Sequence, residues 1–114
     1  MSYNFRTISS FERDLNRFAK RYHSLRDDIK ELVKELQENP LMGTDLGHGI
    51  HKIRLAIKSK GSGKRGGARV IVHADVIVDI REGTIFFLAL YDKSEQSTIT
   101  DKAIKALLHE AGII

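Results

Sequence analysis

The chain has no cysteine, which excludes disulfides and thiolate metal sites and fits a reducing compartment. It has one proline, Pro40, no internal repeat and no low-complexity segment. It lacks a long hydrophobic run: the longest, Ile85 to Tyr91, is too short to span a membrane as a helix. Residues 1–6 hold no apolar core of signal-peptide length, so a cytoplasmic location without membrane contact is expected. The most informative absence is local. From Leu46 to Ala74 there is no Asp or Glu at all.

That acid-free stretch carries Lys52, Arg54, Lys58, Lys60, Lys64, Arg65 and Arg69, with His48, His51 and His73 beside them. The formal charge of the chain is +4, so the stretch supplies more than the total. The rest is net acidic. A concentrated basic block is a local field that attracts polyanions. At 114 residues, 41% apolar and 30% charged, the composition predicts a single globular domain over residues 1–114.

The hydrophobic periods predict the elements. Ser9 with Glu12 has the spacing of a capping box, and Phe11, Leu15, Phe18, Ala19 and Tyr22 follow at helical spacing. Ser24 with Asp27 opens a second helix, striped by Leu25, Ile29, Leu32, Val33 and Leu36 and ended by Asn39-Pro40. The short connection predicts an antiparallel helix hairpin. Tyr3 to Thr7 reads as a short strand. His51 to Lys58 alternates as a half-buried strand; residues 60–67, with four glycines, read as a loop. Ala68 to Val78 and Thr84 to Tyr91 read as two more strands about a turn at Glu82-Gly83, the last central because it is apolar on both faces. Thr100 caps a final helix and Gly112 stops it. The order β-α-α-β-β-β-α predicts an α+β fold, an antiparallel sheet packed by an N-terminal helix hairpin and a C-terminal helix.

Several chemistries fail on spacing. A phosphate-binding P-loop requires Gly where this chain has Lys58, and Ser or Thr where it has Arg65. No Ser sits in a Gly-x-Ser-x-Gly elbow. His48 and His51 have no carboxylate pair nearby and read as surface histidines, and Asp27-Asp28 reads as the solvated side of a helix. The strands say more. Alternation puts Arg54 and Lys58 on one face, Arg69 and His73 on one face, and Tyr91 on a face that Lys93 extends. If those faces coincide, the sheet gathers Arg54, Lys58, Arg69, Tyr91 and Lys93. The competing reading is a merely solvated face, but such a face usually mixes charges of both signs.

Phe11-Glu-Arg-Asp-Leu15, Asn39-Pro40, Lys52-Ile-Arg-Leu-Ala56, Gly66-Gly-Ala-Arg-Val-Ile71 and Leu90-Tyr-Asp-Lys-Ser94 together resemble the RelE/ParE superfamily of bacterial toxins, in particular its HigB-like and RelE-like members. The resemblance runs in order along nearly the whole chain. It implies the toxin of a type II toxin–antitoxin module: an endoribonuclease that cleaves mRNA at the ribosome, without metal or other cofactor, and is neutralised by a cognate antitoxin protein. It implies catalytic roles for Arg54, Lys58, Arg69, Tyr91 and Lys93. It implies RNA contacts from Lys52, Lys60, Lys64, Arg65 and His73. General acid and base stay open among Lys58, Lys93 and Tyr91. The chain departs from RelE in its tail, where Thr100 to Ile114 reads as a packed amphipathic helix. The ParE branch implies a different target, DNA gyrase, and a non-catalytic nucleic-acid-binding module is the third reading.

Overall fold

A computed structural model describes residues 2–61, 63 and 67–114. Its elements are β1 (Asn4–Thr7), α1 (Ser9–Ala19), α2 (Leu25–Glu38), β2 (Thr44–Gly47), β3 (Ile50–Leu55), β4 (Ala68–Ile77), β5 (Glu82–Asp92) and α3 (Asp101–Glu110). Short 3-10 turns occupy Lys58–Lys60 and Val78–Ile80. The predicted α+β class holds, with two additions. β2 is a fourth-from-the-end strand that the sequence reading missed, joined to β3 by a tight turn in which His48 has φ 54°. The five strands are ordered β1-β5-β4-β3-β2, and β1 pairs parallel to β5. The sheet is therefore mixed, not antiparallel throughout. β1 and β5 are far apart in sequence, so no hairpin dictates their direction, and β1 pairs along Thr84 to Phe87 of β5.

The two sheet faces have different covers. Phe11 of α1 packs on Phe87, ring centroids 5.2 Å apart, on the face that also carries Ile53, Val70 and Leu90. The opposite face carries Ile50 and His73, which border a groove shared with Ile104, Lys105 and Leu108 of α3. Because both faces are covered, every residue from Phe87 to Asp92 is buried, whichever way it points. Phe11, Leu25, Leu32, Leu36, Ile53, Val70, Leu88 and Leu90 are each at most 2% exposed. Full burial of such side chains stabilises by roughly 1.5–3 kcal/mol apiece.

The helix ends differ in how the sequence signals were used. Thr100 caps α3, its Oγ1 accepting from the Ala103 N–H at 3.1 Å. Gly112, at φ 75°, ends the helix, with Ile113 N–H bonded to Leu108 C=O. The Ser9–Glu12 box does not form. Ser9 is already inside α1, Ile8 takes the N-cap position, and Glu12 accepts from the Thr7 hydroxyl at 2.7 Å. The β4–β5 turn falls at Val78–Arg81, with Arg81 at φ 53°, and Gly83 lies within β5. A Cβ on Gly83 would meet the Asp75 carbonyl oxygen at 2.2 Å, so the strands approach too closely there for any side chain.

Candidate nucleic-acid cleavage site

The register settles whether the basic faces coincide. Arg54 of β3 lies opposite Arg69 of β4, and Arg69 lies opposite Tyr91 of β5. Residues directly opposite in an antiparallel ladder share a face, so these three form one row on the α3 side of the sheet. Lys52, opposite Ile71, lies on that face two residues along. The strand β3 ends at Leu55, so Lys58 does not continue its alternation. It sits in the 3-10 turn, side chain exposed, with its N–H donating to Asp28 Oδ2 at 3.2 Å. Lys93, just beyond β5, is also exposed. Lys64 and Arg65 lie outside the described residues.

A close approach holds the row together. Gly67 precedes β4, and a Cβ there would stand 2.0 Å from the Leu55 carbonyl oxygen. Only glycine lets the two strands converge at the foot of the loop, which gives Gly67 in the Gly-Ala-Arg pattern a physical reason.

The row is graded from open to sealed. Arg54 is exposed, Arg69 is 7% exposed and Tyr91 is 4% exposed. Arg69 Nη1 donates to the Ala68 carbonyl at 3.1 Å. Burial pushes the Tyr91 phenol above its ordinary pKa, and the Arg69 guanidinium pulls it the other way. The phenol is neutral at pH 7 and has a proton to donate. Among the described residues its Oη has no hydrogen-bond partner. An unpaired buried polar group costs about 1–3 kcal/mol. Tyr91 also borders a cavity of about 320 Å³ with Gln96, Ile99, Ala103 and Leu107, so the 96–107 segment forms part of its cover.

Two residues expected to face RNA are turned to other partners. Lys60 Nζ lies 3.1 and 3.3 Å from the carboxylate oxygens of Asp92, which is 1% exposed. His73 is half-buried. Burial lowers its pKa, against the opposing influence of Asp75 and a backbone hydrogen bond to His48, so the ring is neutral and rests on the β2–β3 turn.

The structure corrects three other readings. His51 is not a surface histidine: it is 6% exposed, on the helix-pair side of the sheet. Asp28 is not on the solvated side of α2: it is 3% exposed, and its Oδ2 also accepts from the Ser24 hydroxyl at 2.7 Å. The acid-free segment is not acid-free in space either. Arg54 and Lys58 border a groove with Asp28, Glu31 and Glu35 of α2. The sequence reading missed Asp28 and Asp92 because each stands far along the chain from the lysine it meets. The one available signal for Asp92 was its place between Tyr91 and Lys93.

Comparison with known proteins agrees with this geometry. The chain is similar in structure to the E. coli toxin RelE, solved as an arginine-to-alanine double mutant in the free state. That match has a TM-score of 0.53 at 19% sequence identity, covering 97% of this chain and 95% of the other. It shows the shared fold. The sequence profile of the family described as the RelE toxin of the RelE/RelB toxin–antitoxin system matches residues 10–114. This chain belongs to the RelE toxin family, the mRNA-cleaving toxins of type II toxin–antitoxin systems whose partners are antitoxins.

Proposed function

We propose that this protein is itself a metal-independent endoribonuclease that cuts mRNA on the ribosome, and that the Arg54–Arg69–Tyr91 row with Lys58 and Lys93 is its active site. The observation that carries the reading is the row. Two arginines directly opposite on adjacent strands repel each other, and an anion placed against them relieves that repulsion. In RNA cleavage the ribose 2′-oxygen attacks the adjacent phosphorus and the 5′-oxygen of the next nucleotide leaves. The products are a 2′,3′-cyclic phosphate and a 5′-hydroxyl. Charge builds on the non-bridging oxygens, and guanidinium groups fixed before the reaction stabilise it. Tyr91 would serve the leaving 5′-oxygen: its phenol holds its proton and has no other partner among the described residues, and because its Oη is buried beside the 96–107 segment it reaches RNA only when that cover shifts. Lys58 or Lys93 is the proposed acceptor of the 2′-proton. Lys52, Lys64 and Arg65 complete the proposed RNA-contacting set, and Lys60 acts through Asp92.

The proposed neutralising antitoxin covers this basic face with acidic side chains. Apolar contact is on offer away from the helices: Leu41, Leu46, Ile77, Val78, Ile80 and Ile114 are the large exposed hydrophobics among the described residues.

Expression in bacteria without an antitoxin is the test. Growth should stop and full-length mRNA should disappear. Growth arrest with intact mRNA and gyrase-linked DNA breaks would support the ParE-like alternative.

A further inference from the structure

We propose that Asp92 is a positioning residue of this site: one buried carboxylate ties the base of the glycine-rich loop and the turn carrying Lys93 to the helix pair, and so fixes its two chain neighbours, Tyr91 opposite Arg69 and Lys93 in the turn. The inference rests on the nuclease reading above for its consequence, though not for its geometry.

Asp92 ends β5. Its carboxylate collects donors from three separate segments. Tyr22, between α1 and α2, donates its hydroxyl to Oδ2 at 2.7 Å. Lys60, at the base of the loop, donates to Oδ1 and Oδ2 at 3.1 and 3.3 Å. Ser94, in the turn after the strand, donates to Oδ1 from its N–H at 2.9 Å and from its hydroxyl at 2.7 Å. The Asp92 carbonyl then accepts from the Glu95 and Gln96 N–H groups at 3.0 and 3.1 Å. Lys93 is thus enclosed in a closed turn whose two ends are both bonded to Asp92. Lys60 also stands 5.5 Å from the centre of the Tyr22 ring, a cation–π distance that keeps it on the inner side.

A second anchor acts on the same turn. The Ser59 N–H donates to Ser24 Oγ at 2.8 Å, and Asp28 accepts from both Ser24 Oγ and the Lys58 N–H. The Lys58–Lys60 turn is therefore held at both ends. Lys58 projects to solvent and Lys60 is drawn in. A basic loop hinged on two buried carboxylates has a fixed base, which favours precise placement of a phosphate over loose attraction.

A plain buried ion pair would stabilise the fold and do nothing else. Positioning makes a different demand, because an error of about 1 Å in a reacting group lowers the rate on the order of 10²-fold. The test compares wild-type protein with Asp92→Asn, Lys60→Met and the double variant. Three quantities are measured well below the unfolding temperature: single-turnover RNA cleavage per folded molecule, RNA affinity, and amide hydrogen exchange over residues 56–61 and 93–97. Asp92→Asn should slow cleavage at least about tenfold while changing RNA affinity less than about threefold. Exchange should quicken in both segments. The double variant should be no slower than Asp92→Asn, since both changes break one contact. Tyr22→Phe removes a single hydroxyl and should show the same pattern in weaker form if Asp92→Asn does not fold. Normal cleavage per folded molecule, or unchanged exchange, would overturn the proposal. If wild-type protein cuts no RNA even with ribosomes present, the nuclease reading fails by itself. Exchange then decides the anchor: quickening supports it and no change overturns it.

Discussion

Two neighbouring rows of the sheet, one residue apart, have opposite characters. Arg54–Arg69–Tyr91 runs across β3, β4 and β5 on the α3 side and collects cations and a phenol. Leu55–Ala68–Asp92 is the next row, on the helix-pair side, and holds two apolar side chains and one carboxylate. Side chains alternate along a strand, so a shift of one residue exchanges the faces. The first row runs from the exposed Arg54 to the buried Arg69 and Tyr91 and is the proposed ligand face. The second takes charge inward, where Asp92 draws Lys60 beneath the loop. The same short stretch of sequence thus places the proposed recognition row on one face and the proposed anchor on the other.

The sharpest way to break the comparison is to remove the arginine row. Arg69→Ala should lower RNA cleavage by on the order of 10²–10³, the typical loss of one group that stabilises transition-state charge. Arg54→Ala and Lys93→Ala should also abolish toxicity, with circular dichroism showing a retained fold. If Arg69→Ala and Lys93→Ala were both fully toxic, the site would lie elsewhere.

Removing the inward row should act first on stability. Asp92→Ala leaves Lys60 part-buried without its partner, and breaking such a pair costs about 3–5 kcal/mol, measurable by urea unfolding. Acid sharpens this. Burial pushes the Asp92 carboxyl up, but hydrogen bonds from Tyr22, Ser94 and Lys60 outweigh it and hold the group well below the carboxylate range. A depressed folded value means the contribution is fully present above the unfolded pKa of about 3.9 and is lost as pH falls below it. Asp92→Asn should therefore be less stable than wild type at pH 7 and lose less on acidification below about pH 4. Equal acid slopes for the two proteins would contradict the assignment.

Gly67→Ala tests the hinge common to both rows. Its Cβ cannot fit beside the Leu55 carbonyl, and the forced backbone shift should cost about 1–3 kcal/mol. Asp28 provides a related contrast. Asp28→Lys would bury a charge against the Lys58 turn and should destabilise clearly. Asp27→Lys, whose side chain is 83% exposed, should change stability by less than about 0.5 kcal/mol. The smallest expected effect is on salt dependence. Single-strand contacts contribute about −0.7 to the slope of log K against log salt per phosphate. Lys58→Ala should flatten the slope by about that amount, and Lys60→Ala should leave it nearly unchanged.

What was legible in the sequence follows the range of the forces involved. α2 and α3, their stops at Asn39 and Gly112, the Thr100 cap and the alternation of β3 are local, and the residues specify them. The coincidence of Arg54, Arg69 and Tyr91 was legible only as a condition, because alternation gives each strand two faces and register selects between them. β2 escaped notice: its four residues are all exposed and carry no buried stripe, and only the Gly47-His48-Gly49 turn marked it. Parallel pairing of β1, the burial of Asp28 and the Lys60–Asp92 pair depend on contacts between distant segments. A run without acids in sequence is consequently a poor guide to neutralisation in space.

The most direct test is cleavage of a defined mRNA by purified wild-type protein and by Arg69→Ala, each with and without ribosomes and in the presence of EDTA. The account predicts EDTA-resistant cutting by the wild type when ribosomes are present, and a rate on the order of 10²–10³ lower for the folded Arg69→Ala protein. Intact mRNA under every wild-type condition, or undiminished cutting by Arg69→Ala, would contradict it.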